Sequence, residues 1–127
     1  MKKIIILLTL TIIILAPIAY KLTSDTINEK VTTLVKVSVG NQYKPDTSRL
    51  DDIYTIEYIE KLKKTGNGLK AGKNHKIIDI KIIESNIFSG RHTVNVRLKD
   101  SLGECLEHIY VIRKDNQYRI NDIEIDI

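Results

Sequence analysis

A single cysteine, Cys105, among 127 residues leaves no intramolecular disulfide, so the fold must stand on its core alone. Cys105 also lies far from the apolar N-terminal run, which excludes a lipid-modified cysteine directly after that run. It is expected to be a small buried residue rather than a nucleophile. The three histidines, His75, His92 and His108, are not spaced with Cys or carboxylates as a metal set, and neither a metal nor a cofactor is expected. No nucleophile elbow, phosphate loop or His-x-x-x-His pair occurs, which removes the ground for hydrolase and NTPase readings. Charge of one sign is scarce as well. Lys2 and Lys3 supply two of the 20 basic side chains, and without them the formal charge falls from +4 to +2. Such a balance is poor support for nucleic-acid binding.

What the chain does have is an apolar leader. Lys2 and Lys3 precede an uncharged run from Ile4 to Tyr20, and Lys21 closes it. That is the pattern of a secretory signal or a signal anchor, assigned to residues 1–23. As a helix the run reaches ~25 Å, at the short end of what spans a ~30 Å hydrocarbon core, so length does not separate cleavage from anchoring. Cleavage after Ala19 would place Pro17 where a small residue is wanted, and cleavage after Ala16 would leave Pro17 just past the scissile bond. The expectation is therefore a single-pass anchor in the cytoplasmic membrane through residues 4–20, with the domain outside. Secretion after signal cleavage is the alternative. A buried core helix would show an amphipathic stripe, and unbroken Ile/Leu has none.

The body, residues 26–127, begins with "TINEKVTTLVKVSVGN", where Thr26 and Glu29 form a capping box and Ile27, Val31, Leu34 and Val35 share a helical face. Gly40-Asn41 is a plausible stop. Val35, Val37 and Val39 also alternate, so an extended second half stays open. A polar loop from Asn41 to Thr47 leads to "SRLDDIYTIEYIEKLKKTG". Here Ser48 can cap, Asp51 and Asp52 start the helix, and Lys61, Lys63 and Lys64 end it. Leu50, Tyr54, Tyr58 and Leu62 make its ridge, widened by Ile53 and Ile59, and Gly66 and Gly68 stop it.

The stretch "KLKKTGNGLKAGKNHK" has no interleaved aromatic residue for base stacking, so no nucleic-acid partner is expected. It reads as a solvated helix end and loop, with anionic lipid as the one partner that a nearby anchor would favour.

After His75 the pattern is a strand meander. Ile78, Ile80 and Ile82 alternate with Asp79, Lys81 and a less informative Ile83, and Val94, Val96 and Leu98 alternate with polar neighbours, whereas "CLEHIYVIRK" is apolar on both faces, as for a strand covered on each side. "SLGE" and "KDNQ" are turns, the second with Asn116 suited to positive φ. In the last strand Tyr118 and Ile120 have one parity, and Ile123, Ile125 and Ile127 the other. A bulge near Asn121-Asp122 would return both sets to one buried face and bend the sheet. The fold class is thus α+β: an apolar anchor helix, then two helices packed on a curved four-stranded antiparallel meander.

The segment "YVIRKDNQYRINDIEI", a strand, a polar turn, an aromatic residue and a bulged last strand, resembles the NTF2-like, or cystatin-like, α+β superfamily. Tyr118 stands where many relatives have Trp, and Asn116 where they have Gly. The resemblance covers roughly residues 26–127 and implies a cone-shaped domain used for binding, assembly or, in some branches, catalysis. A leader followed directly by such a domain is similar to small bacterial cell-envelope proteins, including VirB8-like components of conjugation and secretion machines. The cystatin inhibitor loop itself is missing, since "KVSVG", Lys36 to Gly40, lacks the required Gln and central Val.

An acid/base enzyme on this fold would need a carboxylate or histidine in an apolar pocket beside a Tyr donor. Tyr54, Tyr58, Glu107, His108 and Tyr110 supply the residue types and form the candidate pocket for a small-molecule ligand. Set against that, tyrosines at helical spacing line cores, and a strand-edge Glu-His pair is commonly solvated. Lys61, Lys63, Lys64, Lys70, Lys73 and Arg97 are the candidate surface contacts. The expected function is a non-enzymatic extracytoplasmic binding or assembly module tethered to the membrane, with a protein partner or self-association. A small-molecule-binding or acid/base enzyme, and a secreted effector or immunity-type partner, are the alternatives.

Overall fold

The computed structural model describes residues 2–43, 46–65 and 76–126. Gly66, Gly68, Lys70, Lys73, His75 and Ile127, named above, lie outside them. The architecture is α+β, with helices on one face of a four-stranded antiparallel sheet in the order β1-β2-β3-β4.

Helix α1 runs unbroken from Lys2 to Tyr43, so neither the capping box nor the Gly40-Asn41 stop is used. Thr26 donates its hydroxyl to the carbonyl of Leu22 (2.9 Å), as Thr9, Thr11, Thr23 and Thr33 do four residues back. Inside an existing helix that bond satisfies the hydroxyl, and no free backbone donors remain for Thr26 to cap. What changes at Ser24 is burial. Residues 2–23 are exposed, and the helix starts to pack at Ser24. Val31, Val35 and Val39, four residues apart, enter the core with Ser38, while Val37 points away at 37% exposure, which decides for helix over strand. The N-terminal part of α1 is long and apolar enough to cross a membrane.

The second expected helix is divided. Asp46 rather than Ser48 caps it, accepting from the Ser48 amide (3.1 Å) and hydroxyl (2.6 Å) at the start of a 3₁₀ turn, Thr47–Arg49. Helix α2, Leu50–Ile53, then stops at Tyr54, which is extended (φ −117°, ψ 155°) and bridges to Ile120 of the last strand. The Thr55 amide donates to the Ile120 carbonyl (2.9 Å), so the edge of the sheet captures the backbone that would have continued the helix. Helix α3, Ile56–Thr65, restarts at once, because the Thr55 hydroxyl accepts from the Tyr58 amide (3.2 Å).

The strands are β1 (Lys76–Asn86), β2 (Arg91–Asp100), β3 (Gly103–Lys114) and β4 (Gln117–Asp126). The edge strand β1 has register shifts between Ile77 and Asp79 and between Ile82 and Glu84. The extra residues, Ile78 and Ile83, are exposed, and Ile77, Ile80 and Ile82 pack on the core, so Ile78 does not face inward as alternation suggested. In β4 the expected bulge is present. Val111 pairs with Ile120 and Tyr110 with Asp122, leaving Asn121 unopposed. Ile120 and Ile123 both reach the core, but Ile125 is 61% exposed, beyond the main apolar cluster. Asp115 and Asn116 both have positive φ (52° and 61°), the geometry of a two-residue hairpin.

Strand β3 is covered on one side only. Glu107, Ile109 and Val111 face the helices, whereas Leu106, His108, Tyr110 and Ile112 are half-buried on the outer face by their strand neighbours. Cys105 packs half-buried against the core rim, and burial pushes its thiol up from the ordinary range, which leaves little nucleophilic thiolate.

Candidate functional site

The break at Tyr54 builds a cavity that gathers three of the sequence-predicted site residues, Tyr54, Tyr58 and Glu107. Because Tyr54 is extended and α3 restarts after Thr55, the Tyr54 and Tyr58 rings meet with centroids 5.2 Å apart. Glu107 of β3 comes up beneath them, 3% exposed, and its Oε2 lies 3.5 Å from the Gln42 Nε2 of α1. Together with Lys61, Leu62, Thr65, Ile123 and Ile125 they enclose about 260 Å³. Lys61 sits at the rim, its Nζ 3.0 Å from Asp122 Oδ1.

Both phenols are held in the neutral form. Burial raises the Tyr54 hydroxyl and the Glu107 charge adds to it, against the bond to the buried Ser38 hydroxyl (2.8 Å). Burial, with Tyr54, Asp122 and Glu107 nearby, raises Tyr58 far above the ordinary tyrosine range. The cavity thus offers two phenol groups and a carboxylate beside aliphatic walls, a set that can orient a small polar ligand.

His108 and Tyr110 are elsewhere. Alternation along β3 turns them to the outer face, so the five candidate pocket residues divide into Tyr54, Tyr58 and Glu107 inside and His108 and Tyr110 outside. His108 Nδ1 lies 2.6 Å from Asn95 Oδ1, and the Tyr110 hydroxyl donates to Glu124 (3.1 Å). The solvated Glu-His pair is corrected for Glu107, which is buried because its parity is that of Ile109 and Val111.

A second polar cluster was not foreseen. His92 is 2% exposed, and its Nδ1 lies 2.8 Å from the Ser85 hydroxyl, which also donates to Asn28 Oδ1 (3.2 Å). His92 Nε2 is buried with no partner among the described residues, and the Tyr118 ring packs against it at 5.5 Å. Burial, with Arg113 nearby, lowers the His92 pKa and favours the neutral ring. The signal was in the sequence, since His92 shares the parity of Val94, Val96 and Leu98.

The outer sheet face carries the remaining chemistry. Leu106, Tyr110 and Ile112 form a central apolar row on β3. On one side β2 presents Arg91, Arg97 and Lys99 among the carboxylates of Asp79, Glu84 and Glu104, and on the other β4 presents Glu124 and Asp126. Of the surface candidates, Arg97 is on this face, whereas Lys61, Lys63 and Lys64 belong to α3 on the opposite side of the sheet. Among the described residues no three His, Cys, Asp or Glu side chains gather as a metal site. Compared with protein-family models, curated proteins and solved structures, the chain matches none.

Proposed function

We propose that the chain is a non-enzymatic assembly module, anchored by α1 in the cytoplasmic membrane with its domain outside, and that its outer sheet face binds a second copy of the same face. The observation that carries this reading is that Arg97 and Asp126 flank the apolar Leu106 on opposite sides of β3. A two-fold axis along β3 would set Arg97 of one copy against Asp126 of the other, since both are level with Leu106. Self-complementarity of that kind is what an isologous contact requires. Two copies anchored in one membrane also meet at a raised effective concentration, so a modest face suffices. The resemblance to VirB8-like components supports a place in a conjugation or secretion apparatus.

The test is co-purification of two differently tagged full-length copies from solubilised membranes. Wild-type copies should co-purify and Arg97→Glu copies should do so much less. Failure of the wild type to co-purify, or indifference to Arg97→Glu, would overturn the reading.

The burial of Glu107 beside Tyr54 and Tyr58 favours a second reading, an acid/base enzyme using that cavity. It would displace the first if the purified protein consumed a defined substrate and Glu107→Gln lowered turnover by ~10²–10⁴-fold.

A further inference from the structure

Phe88, at the tip of the β1–β2 turn, is 81% exposed, yet its ring lies 6.3 Å from that of Tyr20, the last residue of the uncharged run. No break interrupts α1 between that run and the residues that enter the core. The level of Tyr20 in a bilayer therefore fixes the level of Phe88. A tyrosine at the end of an apolar run, followed by Lys21, belongs at the headgroup boundary, where aromatic rings are favoured.

We propose that the β1–β2 turn is a second membrane contact, in which Phe88 inserts into the interface of the bilayer that α1 crosses. The inference rests on the anchor reading of α1. The turn is built to hold such a ring. Asn86 Oδ1 accepts from the Phe88 and Ser89 amides (3.0 and 3.1 Å), and Arg113 donates to the Ile87 and Phe88 carbonyls (3.1 Å each). Close by, the Ser85–Asn28 bond (3.2 Å) ties the end of β1 to α1. Lys21 and the exposed Arg91 flank the site with cations suited to lipid phosphate.

Exposure alone does not single out this turn. Leu102, in the β2–β3 turn, is 77% exposed, but it sits at the other end of β2, ~30 Å away by strand rise. The orientation that follows stands the sheet upright on the membrane. It also carries the end of α3 away from the bilayer, since Glu57 lies 3.5 Å from Lys114 near the membrane end while Thr65 shares a cavity with Ile125. Lys61, Lys63 and Lys64 are then turned away from the bilayer, and the Phe88 turn makes the lipid contact.

The chain has no tryptophan, so single substitutions give clean reporters. Full-length Phe88→Trp and Leu102→Trp proteins would be reconstituted in phosphatidylglycerol–phosphatidylethanolamine vesicles whose acyl chains are brominated near the headgroup, and the Ile12→Trp protein in the same vesicles brominated near the chain ends. The Ile12→Trp and Phe88→Trp proteins should lose most of their emission, and the Leu102→Trp protein should keep its own. Quenching of Ile12→Trp without Phe88→Trp would overturn this proposal and leave the anchor standing. Quenching of Phe88→Trp and Leu102→Trp alike would also overturn it, because the domain would then lie flat. An unquenched Ile12→Trp protein would bring down the anchor reading and this one with it.

Discussion

Deleting Asn121 should be among the mildest single deletions inside the sheet. In a regular ladder through β4, Asp122 would oppose Ile109 and face the core, while Ile123 would oppose His108 and face water. Exposing Ile123 would forfeit ~1.5–3 kcal/mol, and burying the Asp122 carboxylate would cost several more. The bulge avoids both at the expense of one unpaired residue on an edge strand, where water serves the free backbone groups. Removing Asn121 joins Ile120 to Asp122 with every other partner kept. What is lost is the Thr55 hydroxyl bond to Asn121 Oδ1 (3.0 Å), ~1 kcal/mol, and some of the bend that seats α3, for a total of ~1–2 kcal/mol. Deleting His108 from the inner strand β3 has no such escape. Either Ile109 and Val111 or Cys105 and Glu107 must change faces, on the order of 5 kcal/mol or more, enough to unfold a small domain. Urea unfolding of the full-length chain in detergent, followed by circular dichroism, would measure both deletions. Equal damage from the two, or a continuous protected ladder through Asn121 and Asp122 in hydrogen exchange, would refute this reasoning.

Gly90→Ala should destabilise by ~1–3 kcal/mol in the same assay, because φ is +70° and the added Cβ would lie 2.6 Å from Arg113 Cβ. His92 has a folded-state pKa lowered from 6.5, so below that value the unfolded chain binds the proton more readily and the native state loses stability as pH falls. Melting temperatures should therefore drop between pH ~7 and ~5, and less steeply in His92→Gln, whereas equal slopes would count against a buried neutral ring. Protease added to intact protoplasts should digest the domain, since positively charged flanks stay inside, and protection equal to that of a cytoplasmic marker would reverse the topology.

The sequence by itself determined the class of the fold and much of its detail: the apolar leader, the four strands, the inward parity of Val94, Val96 and Leu98, and the bulge in β4. Each of these is a periodicity read over neighbouring residues, and burial on one side of a local element imposes it directly. Tertiary structure alone decided where α1 begins to pack, where the second helix breaks, and which candidates share a cavity. The capping box at Thr26 is a sound local start signal, but it is idle when a helix already extends through it. Tyr54 has helical spacing with Tyr58, yet it bridges to Ile120 and the next amide, that of Thr55, donates to the Ile120 carbonyl, a partner far along the chain that no local pattern announces. Glu107 and His108 are neighbours in sequence and are parted by the strand pleat. Tyr54 and Glu107 are distant in sequence and are brought together because the sheet edge offers a hydrogen bond that ends α2 where it does.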